Sequence, residues 1–162
     1  MNLNFRQATP SDSEPLWEII KPIIREGSTY VFAPDSSKEK MLEFWLAKDK
    51  ASYVAELEGE IVGTFFLKAN QPDGGSHIVN AGYMVALDSK GKGIGKAMAE
   101  YSFEEAKRQG YRAMQFNYVV KSNTVAISLW TKLGFEIVGE IPEAFSHPQI
   151  GPTSVLVMYR KL

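Results

Sequence analysis

The stretch that most limits how this chain can fold is Asp88-Ser89-Lys90-Gly91-Lys92-Gly93-Ile94-Gly95-Lys96. It follows a strand-like run near Ile78–Val85 and leads into Ile94, Ala97, Met98 and Tyr101 at helical spacing. That spacing holds until Gly110, a natural stop preceded by Lys107 and Arg108, and Ala113 to Val120 is strand-like again. Strand, glycine turn, helix and strand make a crossover, which implies one parallel pairing in the sheet. Gly91, Gly93 and Gly95 put no β-carbon in the way of inward-turned N–H groups, and the helix adds its own free amides and dipole. Such a site suits phosphate, to which Lys90, Lys92 and Lys96 add charge without base or ribose specificity. Taken alone, the stretch reads equally well as a plain glycine-rich turn.

Its spacing excludes two common nucleotide motifs. A Walker loop ending in Gly95-Lys96 needs glycine at position 90 and Ser or Thr at position 97, where this chain has Lys90 and Ala97. A dinucleotide fingerprint counted from Gly91 needs a glycine where Lys96 stands.

Elsewhere the order is mixed. Phe5 to Ala8 reads as a short strand, and Thr9-Pro10-Ser11-Asp12 can cap a helix carrying Leu16, Ile19, Ile20 and Ile23, with a break or kink expected at Pro22. Arg25 to Tyr30 reads as loop. A second helix begins near Ser37, with Met41, Phe44 and Trp45 on one face. Tyr53–Leu57 and Ile61–Lys68 form a hairpin about Glu58-Gly59. A loop over Asn70–Gly75 leads to the Ile78–Val85 strand. Asn123 caps a short helix with Ala126, Leu129, Trp130 and Leu133 on one face, and Phe135–Ile141 and Val155–Tyr159 supply the last strands. The expected fold is α/β with a mixed sheet, and 162 residues suit one domain spanning residues 1–162.

A second motif resolves the glycine loop. Asn123-Thr124-Val125-Ala126-Ile127-Ser128-Leu129-Trp130-Thr131-Lys132-Leu133-Gly134-Phe135 resembles the second signature of the GCN5-related N-acetyltransferases. Their first signature, Gln/Arg-x-x-Gly-x-Gly/Ala, resembles Lys90-Gly91-Lys92-Gly93-Ile94-Gly95, with Tyr83-Met84-Val85 at the matching distance upstream. Lys90 departs from that pattern by keeping the charge without the planar fork. The resemblance implies a mostly antiparallel sheet with flanking helices, in which the strand before the loop splays from its parallel neighbour. It also implies acetyl-CoA as cosubstrate, without a metal. The main chain of Tyr83, Met84 and Val85 would hold pantetheine and the acetyl carbonyl, the amides of Lys90 to Lys96 the pyrophosphate, and Asn123 would face the pantetheine. From Val62 to Phe145, with Ile24–Tyr30, the chain looks like the fungal enzymes that N-acetylate the proline analogue azetidine-2-carboxylate. Gly63-Thr64-Phe65-Phe66, Asn70, Ser76-His77, Asn80-Ala81-Gly82-Tyr83, Phe116-Asn117 and Leu129-Trp130 carry that likeness. It implies Asn80 and Asn117 as substrate-binding residues, with Glu26 and Tyr30 in the loop where this family shapes its acceptor pocket.

A thioester is already activated, so an amine can attack it without an enzyme nucleophile, and the absence of cysteine is no obstacle. The reaction still needs proton removal, an oxyanion donor and an exit for the thiolate. A backbone N–H near Tyr83 or Met84 is the expected oxyanion donor. Trp130 stands where the family usually has a tyrosine, and indole donates a hydrogen bond but transfers no proton. Tyr118, a water or simple thiolate release would replace it, while the position of Trp130 on the apolar stripe of its helix points to packing. His77 has the intrinsic pKa of a base and opens the strand leading to the cradle, though a lone loop histidine also reads as ordinary surface. Glu26 reads either as an exposed loop carboxylate or as a base. Asn80 and Asn117 lie in apolar or small-residue runs, where an amide needs a partner; they could bond each other or the backbone, or hold the carboxylate of an amino acid. His147, in a late loop, reads as surface at the edge of the pocket.

The expected function is transfer of acetyl from acetyl-CoA to a small amine, an amino acid or its analogue. The competing readings are a catalytically weak CoA-binding sensor or partner module, and a protein or peptide N-acetyltransferase. A net charge of -1 gives no reason to expect nucleic acid. No apolar run approaches the ~20 residues of a membrane helix, so the cytoplasm is the default location. Many members of the resembled family form dimers, which extends the expectation of a homodimer to this chain, although no segment marks an interface.

Overall fold

The computed structural model describes residues 2–162; Met1, where the expected domain begins, lies outside them. In chain order the main elements are β1 (Leu3–Gln7), α1 (Ser13–Glu26), α2 (Lys38–Trp45), β2 (Ala51–Leu57), β3 (Glu60–Ala69), β4 (Ile78–Val85), α3 (Ile94–Arg108), β5 (Ala113–Val120), α4 (Thr124–Lys132), β6 (Glu136–His147) and β7 (Gly151–Lys161). The strands form one seven-stranded sheet in the order β1-β2-β3-β4-β5-β7-β6. Only the β4–β5 pair is parallel, so the expected mixed, mostly antiparallel α/β fold is the one observed.

Each face of the sheet has its own core. On one face Val79 of β4 joins Phe65, Met114, Phe116, Met98, Phe103 and Trp130, with Ala81, Tyr83 and Val85 packed alongside. Gly63 lets α3 come close there: a β-carbon on it would lie 2.8 Å from Met98 Sδ. On the other face Leu16, Ile20 and Ile24 of α1 and Met41 and Trp45 of α2 cover Val54, Phe66 and Met84. A buried chain of hydrogen bonds runs through this face, from Trp45 Nε1 to Thr64 Oγ1 (2.9 Å) and from Thr64 Oγ1 to Tyr53 O (2.7 Å). It leaves neither the indole N–H nor the hydroxyl unpaired in an apolar layer.

Two expectations about element boundaries are corrected. Pro22 does not break α1, which runs through it to Glu26, so Arg25 and Glu26 belong to the helix and the expected loop begins at Gly27. An interior proline costs about 3 kcal/mol, but full burial of each of Leu16, Ile20 and Ile24 contributes roughly 1.5–3 kcal/mol, which holds the helix on the sheet. The last two strands are longer than the sequence suggests, because β6 reaches His147. As an edge strand it is mostly exposed and lacks a clear alternation, and its register shifts between Ile141 and Phe145, where Glu143 takes a positive φ of 51°. His147 therefore ends a strand, not a loop.

Arg6 ties β1 to both the start of α1 and β2. Its guanidinium donates to Asp12 Oδ2 at 2.8 Å and to Glu56 Oε1 at 2.9 Å. The Arg6 guanidinium, helped by the Thr9 amide, holds the Asp12 carboxyl down to about 2. A carboxyl whose folded-state pKa is depressed stabilises the fold above its unfolded value and loses that contribution as pH falls through the folded one. The Arg6–Asp12 contribution should thus be complete above about pH 4 and fade towards about pH 2. Urea unfolding across that window is expected to show Asp12→Asn with a shallower pH dependence, the two proteins converging by about 2 kcal/mol as the acid is neutralised.

Candidate active site

The site begins where β4 and β5 part. They pair only at Ile78↔Ala113 and Val79↔Met114, and from there β5 follows β7. A register shift in β5 between Phe116 and Val119 adds a bend. The uninterrupted β3–β4 register, with Asn70 N–H on Ile78 O (2.8 Å) and Ala86 N–H on Val62 O (2.9 Å), fixes the orientation of the β4 backbone. By the alternation of an antiparallel ladder, the main-chain groups of Ile78, Asn80, Gly82 and Met84 turn to β3, and those of Val79, Ala81, Tyr83 and Val85 turn towards β5. Beyond Val79 no strand receives the second set.

Two of these open groups are taken by side chains. Asn80 Oδ1 accepts from Ala81 N–H at 2.8 Å, and the Tyr30 hydroxyl, from the loop between α1 and α2, donates to Tyr83 O at 2.9 Å. The amides of Tyr83 and Val85 are left facing the gap. Main-chain donors without a strand partner can pair with an extended molecule that carries hydrogen-bonding amides and carbonyls. Met84 is a correction to the expected set: its own amide and carbonyl are directed at Thr64 across the ladder, and its side chain belongs to the α1–α2 core.

The glycine loop lies at the end of this edge. After a 3-10 turn over Leu87–Ser89, Gly91 and Gly93 adopt φ of 78° and 79°, and Gly93 is the N-cap of α3. The Lys90 amide is taken up by Leu87 O at 3.4 Å, which corrects the expected cradle by removing that amide from it, and the next one to be bonded is that of Ala97, by Gly93 O at 3.1 Å. The amides of Gly91, Lys92, Gly93, Ile94, Gly95 and Lys96 form no hydrogen bond among the described residues, while the Ile94 side chain is in the core. Consecutive free amides at a helix N-terminus form an anion cradle. Lys90, Lys92 and Lys96 are exposed around it, Lys96 lying 3.7 Å from Glu100. A cleft lined by Thr124, Val125, Ser128, Leu129 and Lys132 of α4 adjoins the loop, since a β-carbon on Gly95 would come 3.8 Å from Leu129 Cδ2.

Aromatic rings floor the gap on the α3 side. Trp130 packs against Tyr83 (centroids 5.0 Å apart), Phe116 (4.6 Å) and Phe135 (5.7 Å), so it bridges the diverging strands as a buried core residue. The Tyr83 hydroxyl meets Ser102 Oγ at 2.7 Å, and burial holds its pKa well above the usual phenol range. The Tyr30 hydroxyl is likewise held high by burial, only partly opposed by its bond to Tyr83 O. Neither phenol is a base near neutral pH.

The remaining candidates separate by position. Asn80 shares the α1–α2 side of the sheet with Phe66 and Met84, and its Oδ1 is engaged, so its amide protons are the free end. Asn117 does not bond Asn80; it donates to Asn70 Oδ1 (2.6 Å) and accepts from Gln115 Nε2 (2.9 Å), a network that spans the face of β4. Gln115 was not singled out in the sequence, although its alternation with Asn117 in an apolar strand was the available signal. Asn123 caps α4 through Ala126 N–H (3.3 Å). Tyr118 is 37% exposed, and its hydroxyl donates to Ala144 O, which fastens β5 to β6. His77 is exposed at the opposite end of β4, about 20 Å along the strand from Tyr83. His147 Nδ1 accepts from Gln149 and Ile150 N–H (3.1 and 3.3 Å) and caps the β6–β7 turn. Glu26 is exposed and accepts from Ser28 Oγ at 3.0 Å. The structure therefore gathers Tyr83, Val85, Trp130, Tyr30 and the loop amides, and leaves His77 apart.

Residues 17–135 match the model of the acetyltransferase (GNAT) family. The N-acetyltransferase aca1 of Schizosaccharomyces pombe is 35% identical over 98 residues, 60% of this chain and 47% of that protein. A mycothiol acetyltransferase of Renibacterium salmoninarum is 24% identical over 145 residues, 83% of this chain and 40% of that protein. The chain thus spans about half the length, or less, of these curated relatives. The solved structure of a GCN5-related N-acetyltransferase from Kribbella flavida superposes with a TM-score of 0.92 at 35% identity, covering 99% of this chain and 98% of that one. No helix among the described residues is long and apolar enough to cross a membrane.

The left-handed backbone at Gly93 gives a direct check of the cradle. Gly93→Ala has open space for its methyl group but keeps a positive φ, and should lose about 1–2 kcal/mol in urea unfolding from backbone strain alone.

Proposed function

This chain belongs to the acetyltransferase (GNAT) family, and on that premise we propose that it transfers the acetyl group of acetyl-CoA to the amine of a small molecule of amino-acid type. The observation that carries the proposal is the continuity of two donor sets: the free edge of β4 at Tyr83 and Val85 runs into the free amides of Gly91 to Lys96. The first suits the amide-bearing pantetheine arm, the second a pyrophosphate. Coenzyme A joins those two chemistries in one ligand.

The thioester supplies an activated acyl group. The chain's part is to hold its carbonyl against a fixed N–H, that of Tyr83 or Val85, which meets the developing oxyanion without reorganisation. Trp130 stands on the floor of the gap and offers no exchangeable acid, so the thiolate leaves as such or takes its proton from water. The acceptor side is the α1–α2 face, where the free amide protons of Asn80 and the ammonium of Lys68, its cross-strand neighbour, suit a carboxylate. Lys68 also pairs with Asp49 at 2.8 Å, which moderates its charge without removing its donors. A free amino acid or a cyclic analogue such as azetidine-2-carboxylate fits that set, and the quoted likeness to fungal enzymes supports the same class.

Release of free thiol from acetyl-CoA should be followed over a panel of amino acids, cyclic analogues and simple amines. Acceptor-dependent release with carboxylate-bearing amines is expected; tight CoA binding with no release over the whole panel would instead favour a sensor module. With the best acceptor, Asn80→Ala should raise acceptor KM by about tenfold while CoA affinity stays within about twofold. An equal loss of CoA affinity would remove Asn80 from the acceptor side.

A further inference from the structure

The loop between α1 and α2 is anchored at both ends. Gly27 closes α1 with a left-handed φ of 69°, its N–H on Ile23 O. Arg25 Nη1 reaches back to Ser36 O at 2.9 Å and also donates to Pro34 O. Phe32 packs edge-on against Phe44 of α2 at 4.7 Å. A β-carbon on Gly27 would lie 3.9 Å from Pro148 Cγ, so the β6–β7 turn abuts the same corner. Within this frame Tyr30 makes a hydrogen bond to the sheet, at Tyr83 O, beside the amide left open in the gap.

We infer that Tyr30 is a positioning residue for the acceptor amine, acting through a hydroxyl whose proton is committed to Tyr83 O and whose oxygen is thereby left as an acceptor. This rests on the transferase reading above and assigns an atom to the acceptor end of that site. The carbonyl and amide of Tyr83 point to the same side of β4. The hydroxyl oxygen therefore stands next to the donor that would hold the acyl carbonyl. A neutral amine giving one N–H to that oxygen has its nitrogen lone pair free to attack. The C–N bond forms, the C–S bond breaks with its electron pair on sulfur, the nitrogen loses one proton to water and the thiolate gains one from water. Tyr30 itself gains and loses none, because a main-chain carbonyl cannot relay a proton. The same hydrogen bond closes the loop onto the splayed strand, so loop position and acceptor position are set by one contact.

Tyr30→Phe removes the oxygen and keeps the ring. With the best acceptor of the panel, the variant should lose at least about tenfold in kcat/KM for the amine, with CoA affinity by calorimetry within about twofold of the parent. The pH profile should keep its shape, since no ionisation is lost. Amide exchange in residues 27–36 should quicken by about tenfold while α3 is unchanged. An unchanged kcat/KM, an equal loss of CoA affinity, or loss of a limb of the pH profile would overturn the assignment. Should the parent protein acetylate none of the amines, the transferase reading falls by itself. The exchange comparison then decides the contact: faster exchange in the loop upholds the Tyr30 anchor, and unchanged exchange removes it.

Discussion

The rest of this structure depends on the obligation of backbone groups to find partners, applied to one strand that loses its neighbour. β4 pairs with β3 along its whole length but with β5 only over Ile78 and Val79. An ordinary sheet would close that gap, because unpaired buried amides and carbonyls are costly. Here Asn80 and Tyr30 satisfy one group each, and the Tyr83 and Val85 amides remain available. The opening is held from below by packing: Trp130 lies against rings from both diverging strands, so bringing the strands together would disrupt a buried aromatic cluster.

The glycine loop extends the same principle beyond the sheet. Left-handed backbone at Gly91 and Gly93 turns the chain from β4 into α3 while keeping several amides free, and the buried side chains of Ile94 and Met98 fasten the helix that carries them. The exposed lysines add attraction for anions, but a screened surface charge is worth little in itself. Geometry of the main chain is the stronger determinant of what binds.

Much of this was readable in the sequence because it rests on local chemistry. Glycines at alternate positions after an apolar run mark a turn that needs left-handed backbone, and Asn123 ahead of an apolar helical stripe marks a cap; both are decided within a few residues. Ile78–Val85 and Ala113–Val120 were legible because each begins and ends on apolar residues and lies between turn signals, although β4 carries Asn80, Ala81 and Gly82 within it. β6 was not: an edge strand carrying Glu140, Pro142 and Glu143 has no periodic signature, and its length is set by pairing with β7. At Pro22 the break-or-kink signal produced no break, because helix propensity is local whereas the burial that overrides it comes from the sheet.

The functional side chains divide in the same way. Residue chemistry nominated His77 and Tyr118 for proton transfer, and the family resemblance nominated Asn80, Asn117 and Tyr30 for the acceptor, but neither could say which of them share a site. Register separated them, turning Tyr83 and Val85 into the gap and Met84 out of it, engaging Asn117 with Asn70 and Gln115, and setting His77 at the wrong end of the strand. The sequence by itself determined the glycine turn, the helix cap and the crossover, because these depend on φ preferences and spacing along the chain. Only the tertiary structure decided which amides are open, that Trp130 is a floor and that Tyr30 meets Tyr83, because each of these joins residues far apart in sequence through the packing of two cores on one sheet.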